Sequence, residues 1–198
     1  MKKVIAFSTL MILSIVISSC TVTNQISQMA ALALCDFRIN SVSNVTLAGV
    51  NVQTIRSLQD LSIGDAARLM TAAASGSFPL AMQVNIDVKN PNGTAAGMNR
   101  MEWILFIDDI QMTSGVVNQS LYVPANNGVA SLPIGVAVDL KKVLQGKSLD
   151  ALVNFGLNLS GNGNKPTRLL TKIKPTILIG QTQLAYPGYI NVRTEFGH

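Results

Sequence analysis

Asp108-Asp109 is the one adjacent carboxylate pair in the chain. Neighbouring carboxylates can divide into a general acid and a general base, or join a Ca²⁺ ligand set. Consecutive strand residues point to opposite faces, however, so a pair that follows Ile107 suits a hairpin turn better than a shared site. Calcium would also want several more oxygen ligands at close spacing. The only histidine is His198, the last residue, so a Ser-His-Asp or Cys-His relay would hang on a chain terminus. One histidine and one free cysteine, Cys35, cannot supply the three or four soft ligands of a zinc site once Cys20 is taken as a lipid attachment site. Gly161-Asn162-Gly163-Asn164 is a loop without the following Lys-Ser/Thr or βαβ setting of a phosphate cradle. The sequence therefore reads as a non-enzyme, with no catalytic, cofactor-binding or metal-ligating residue to name.

The residue with the clearest chemistry is Cys20. Met1-Lys2-Lys3 is a short basic stretch, and Val4 to Ile17 is an apolar run too short and too lightly flanked for a spanning helix. Ile17-Ser18-Ser19-Cys20 then resembles a bacterial lipobox: an aliphatic residue, two small residues and a Cys whose thiol accepts a diacylglyceryl group before cleavage. Residues 1–19 are thus expected to be a lipoprotein signal peptide, Cys20 the lipid attachment site, and residues 20–34 a tether. Two or three acyl chains would anchor the chain stably where one holds only marginally. Thr21 stands where enteric lipoproteins retained in the inner membrane carry Asp, and no acidic cluster follows. The expected address is therefore the periplasmic face of the outer membrane. Cys35 has no disulfide partner if Cys20 is acylated, and a small buried apolar side chain is its expected role.

Fifteen basic against ten acidic residues give +5, and loss of Lys2 and Lys3 with the leader leaves +3. That is too weak for nucleic acid, which calls for a clustered basic face. Lys165, Arg168, Lys172 and Lys174 form one basic stripe. It could meet lipid phosphates or protect an edge strand from pairing. Asn44, Asn92, Asn118 and Asn158 each begin an Asn-x-Ser/Thr triplet, which a bacterial lipoprotein would not normally glycosylate.

The elements that must hold these residues are mostly strands. Leu80, Met82, Val84, Ile86 and Val88 alternate with polar or small residues, the period of a strand with one buried face. Asn90-Pro91-Asn92-Gly93 ends it in a turn, because Pro91 fixes φ and cannot donate to a ladder. Met101 to Ile107, Gln111 to Val123, and Leu132 to Leu140 read as further strands, and Phe37 to Val45 as the first. Leu169 to Ile177 alternates too, with Pro175 placing it at an edge or a bulge. Tyr186-Pro187-Gly188-Tyr189 is a turn before a last strand, Ile190 to Phe196. Two helices are expected. Ser62 caps one in which Ile63, Ala66, Leu69, Met70 and Ala73 share an inward face and Gly76 ends it. Ser148 caps the other, with Leu149, Leu152, Val153 and Leu157 inward. Trp103, Phe106, Tyr122, Tyr186 and Tyr189 are scattered as core or hairpin packing demands.

A strand ending in Asn90-Pro91-Asn92, a strand with Ser114-Gly115, a strand ending in Val123-Pro124-Ala125 and an alternating strand ending in Val138-Asp139-Leu140 come in that order. The set resembles the late embryogenesis abundant type 2 family, also called the water-stress and hypersensitive-response domain, over roughly Phe37 to Leu144. The resemblance implies a fibronectin-like antiparallel β-sandwich, here over residues 35–198 with one or two short helical inserts, and no catalytic residues. It also implies a binding or protective role under stress, here beside a membrane. An accessory subunit of an envelope or secretion complex, docking through the helix near Ile63, and a carrier of a hydrophobic ligand are the other readings.

Overall fold

A computed structural model of the chain describes residues 23–163, 165–179 and 181–196. Residues 1–19, Cys20 and His198 lie outside them.

The strands build two antiparallel sheets face to face. Sheet one has the order β2 (Val50–Asn51), β1 (Asp36–Leu47), β3 (Pro79–Asn90), β8 (Gly128–Asp139). Sheet two runs β10 (Thr182–Ala185), β9 (Thr167–Ile179), β5 (Arg100–Ile107), β6 (Ile110–Val117), and β11 (Ile190–Phe196) also pairs with β9. A small ladder joins β4 (Ala96–Met98) to β7 (Leu121–Val123). The alternation in β3 does what its spacing predicts: Leu80, Met82, Val84, Ile86 and Val88 are buried. Met101, Trp103, Leu105 and Ile107 of β5, together with Leu132, Ile134 and Val136 of β8, belong to the same core. On the outer face of sheet one, Asn85 reaches Ser41 and Ser43 of β1, each at 3.0 Å, and accepts from Gln83 at 2.7 Å.

β3 pairs with β8 along its whole length, from Pro79 opposite Asp139 to Asn90 opposite Gly128. This twelve-residue ladder spans about 40 Å at ~3.3 Å per residue and gives the domain two distinct ends. At the Asn90 end lie a helix over residues 23–33 (α1), the turn at Asn126-Asn127 and the β4–β7 ladder. At the Asp139 end lie α2 (Ile63–Ser75), α3 (Leu140–Val143), α4 (Leu149–Leu159) and the β5–β6 hairpin tip.

Four expectations change. The tether assigned to residues 20–34 is helical from residue 23, and it buries Met29, Ala31 and Leu32. Its alanines favour helix, and the apolar residues three apart give it a face to bury. Gln111 to Val123 is two strands, because Asn118 to Ser120 leaves β6 before β7 turns to pair with β4. β9 is central, paired with β5 on one side and with β11 and β10 in turn on the other. Pro175 is tolerated there because its carbonyl accepts the Tyr186 N–H at 2.9 Å, so its own nitrogen faces the gap between those two partners. Finally, Ile63 and Met70 of α2 do not face inward: they are 91% and 63% exposed, and Leu69 is the buried residue of that helix. The caps are as expected, with the Asp65 N–H donating to Ser62 Oγ at 3.1 Å and Gly76 left-handed at φ 86°.

Candidate functional site

Each end of the β3–β8 ladder is closed by one polar side chain. Asn90 is fully buried. Its Nδ2 donates to the Thr94 carbonyl at 2.9 Å and to the Val123 carbonyl of β7 at 3.3 Å. Its Oδ1 accepts from the Asn92 backbone N–H at 3.1 Å and from Asn92 Nδ2 at 2.8 Å. Asn92 Nδ2 in turn donates to the Ala31 carbonyl of α1 at 3.1 Å. The Asn92 and Asn90 carbonyls take the Asn126 and Asn127 N–H groups, at 2.8 Å each, from a turn whose two asparagines both have positive φ. The Asn-Pro-Asn turn therefore joins α1, β7 and the start of β8, a far-reaching role that a local turn signature does not disclose.

Asp139 closes the other end. Its carboxylate accepts from the Phe78 N–H at 2.9 Å, Ser77 Oγ at 2.8 Å and the Lys141 N–H at 3.1 Å. The Phe78 hydrogen bond above all, with Ser77, Lys141 and the nearby Lys142 charge adding, holds its carboxyl below the usual range against the opposing cost of burial.

Asp108 and Asp109 sit in the turn between β5 and β6 with φ 48° and 65°, as a two-residue hairpin with both central residues left-handed requires. Asp108 Oδ1 accepts the Arg168 N–H at 3.0 Å and lies 3.8 Å from Arg168 Nε; Asp109 Oδ2 meets Arg168 Nη2 at 2.9 Å. Both carboxylates thus fasten the hairpin to β9. The basic stripe is dispersed accordingly. Arg168 serves the hairpin, Lys172 lies over the Phe106 ring at 4.9 Å, Lys174 lies over Tyr189 at 5.8 Å, and Lys165 faces α4. The edge-strand reading of the stripe falls with β9's central position.

Cys35 is buried, and its Sγ donates to the Ala31 carbonyl at 3.4 Å. Burial, with the neighbouring Asp36 charge adding, pushes the thiol up to about 11, so it is protonated and unreactive at neutral pH. Gly115 lies opposite Trp103, where a Cβ would come within 2.6 Å of the indole. Among the described residues no three His, Cys, Asp or Glu side chains gather as metal ligands. No helix among them is long and apolar enough to cross a membrane.

Two clefts open at the Asp139 end. One of about 510 Å³ lies between Asp109, Arg168, Arg193 and Glu195. The other, of about 580 Å³, runs between the hairpin tip and α4, lined by Ile110, Leu144, Lys147, Phe155 and Lys165 among others. Sequence reasoning found neither, since each draws on segments far apart in the chain.

No curated protein matches the chain. Among solved structures, a protein from Archaeoglobus fulgidus is similar at 14% identity over 60% of this chain and 84% of that one, with a TM-score of 0.35. A solution structure from Arabidopsis thaliana is similar at 15% identity over 60% and 72%, with a TM-score of 0.34. The stretch from the middle of β3 through β9, residues 85–180, which includes the Asn90-Pro91-Asn92 turn and Asp139, matches the family model described as late embryogenesis abundant protein.

Proposed function

We propose that this chain is a non-enzymatic envelope lipoprotein, acylated at Cys20 and anchored at the periplasmic face of the outer membrane. Its β-sandwich binds or shields other molecules there as a stress-protective module. The observation that carries the reading is the lipobox Ile17-Ser18-Ser19-Cys20, whose Cys20 lies three residues before residue 23 of α1. The match of residues 85–180 to the late embryogenesis abundant family supports the protective role. With the lipid at Cys20 and α1 seated on the Asn90 turn, the domain is held by that end and presents α2, α4 and the hairpin tip away from the bilayer. Tethering raises the local concentration of the domain at the surface it serves. Mass spectrometry of the membrane-fraction protein beside a Cys20→Ala variant tests this. An acylated Cys20 N-terminus, with the variant released or unprocessed, is the expected result; a soluble, unmodified mature chain would remove the anchor.

A second reading, the accessory subunit, draws on α2. Ile63, Ala67, Met70 and Ala74 recur at helical spacing and are all exposed, an apolar stripe on a helix whose opposite side already packs through Leu69. Met70→Glu would abolish recovery of a membrane partner in affinity isolation under this reading and leave it unchanged under the first.

A further inference from the structure

We propose that the cleft between α4 and the β5–β6 hairpin binds a free fatty-acid carboxylate, with the acyl chain along its apolar wall and the carboxylate between Lys147 and Lys165. The inference does not depend on Cys20.

α4 is apolar on its buried side and mixed on the side that faces the cleft. Leu152, Val153, Gly156, Leu157 and Leu159 are buried, and Gly156 lies so close to Leu47 of β1 that a Cβ there would overlap its side chain. Ala151, Asn154, Phe155 and Asn158, at i, i+3, i+4 and i+7, instead face the cleft. Opposite them stands Ile110, 43% exposed at the first position of β6, and Leu144 contributes from the end of α3. Phe155 and Leu144 are only half-buried. The result is a trough of about 580 Å³ with an apolar wall of Ile110, Leu144, Ala151 and Phe155, within the range of small-molecule sites, ~300–1,000 Å³.

Its charge is one-sided. Lys147 and Lys165 line the cleft, and among the described residues neither ammonium has a carboxylate partner. The one acid on the cleft wall, Asp108, shares the single Arg168 with Asp109, so it offsets part of the lysine charge and leaves the lining net positive, two lysines against one carboxylate. Asn154 and Asn158 supply amides, of which Asn158 Oδ1 already accepts the Lys165 N–H at 3.4 Å. Two unpaired ammonium groups beside an aliphatic and aromatic wall suit a ligand with one anionic head and an apolar tail. A free acid fits better than a phospholipid, since two acyl chains exceed one such trough.

The test is photo-crosslinking of the full chain in phosphatidylcholine nanodiscs with diazirine-bearing laurate, mapped by mass spectrometry. The expected labels fall on Ile110 and within Leu144–Asn158. Lys147→Ala/Lys165→Ala should raise the half-saturating laurate concentration roughly five-fold, as two solvent-facing ion pairs warrant. Ala151→Trp, at an exposed position, should fill the trough and suppress labelling while the circular dichroism melt stays with the parent. A dodecanol analogue should behave on the parent as laurate does on the double-lysine variant. Labels outside those segments, or laurate binding indifferent to both variants, would overturn the site. Equal labelling by a photoactivatable short-chain phosphatidylglycerol added from solution would overturn the assignment to a free acid.

Discussion

Replacing Asn90 by Ala removes two donors and two acceptor contacts from a fully buried position. Each hydrogen bond contributes about 0.5–1.5 kcal/mol net, and a buried group left without a partner costs about 1–3 kcal/mol. The Val123 contact is long at 3.3 Å, and the Thr94 carbonyl and the Asn92 amide lie nearer water, so they recover part of their loss. The expected destabilisation is therefore about 3 kcal/mol. For a domain of this size that lowers Tm by about 6–12 °C. Asn92→Ala, which keeps the Asn90 bonds to Thr94 and Val123 but gives up those from Asn92 Nδ2 to Ala31 and to Asn90 Oδ1, should cost about 1–2 kcal/mol and loosen α1. Urea denaturation followed by the fluorescence of Trp103 measures the first. Hydrogen exchange over residues 23–33 measures the second. A loss below about 1 kcal/mol for Asn90→Ala would mean that its four contacts are replaceable by water, and the reasoning that makes this turn the clasp of the domain would be wrong.

Gly115→Ala should destabilise by about 1–3 kcal/mol, read by urea denaturation, because its methyl group would sit 2.6 Å from the Trp103 ring. Thr171, 1% exposed on β9, has no hydrogen-bond partner for its Oγ1 among the described residues; Thr171→Val should be neutral or stabilising by up to about 1 kcal/mol, and a clear loss in a thermal melt would reveal a missed partner. Asp139 has a folded pKa below its unfolded value, so its contribution is fully present above about pH 4 and is lost as pH falls through the lower folded value. Acid titrations of stability should show a fall in that window that is absent from Asp139→Asn.

The strands were legible because their burial is one-sided. Leu80 to Val88 show period two in the sequence, whereas Met101 to Ile107 is a short apolar run whose burial alternates only in the sheet; both supply inner faces of opposing sheets. The turn at Asp108-Asp109 was legible from strand parity alone. What escaped depends on partners distant in sequence. Pro175 is an edge signal only while β9 is considered by itself; in the sheet it falls where one neighbouring strand replaces another. α1 was missed because its few apolar residues acquire a face only against the Asn90 end. The exposed side of α2 defeats the amphipathic argument for a different reason. Its alanines and Met70 give two apolar stripes, and periodicity cannot say which one the domain covers.

The two clasps explain why candidate binding features cluster at one end. At the Asn90 end the side chains and carbonyls of Asn90 and Asn92 are committed: to α1, to β7 and to the turn before β8. Little chain there can vary without breaking the ladder. At the opposite end Asp139, through Phe78 and Ser77, and the Leu140 N–H, donating to the Phe78 carbonyl at 2.9 Å, secure β3 to β8, and the connections beyond them leave the ladder intact. α2, α4 and the hairpin tip are such connections, and they carry the exposed Ile63 and Met70, the Lys147–Lys165 cleft and the Arg168–Asp109 pair. A sandwich closed in this way can accept new surfaces at the Asp139 end with no more than local cost, since a loop lengthened outside the ladder adds only a slowly growing closure entropy. The same insertion between Asn90 and Thr94 would separate the donors and acceptors that hold three elements together.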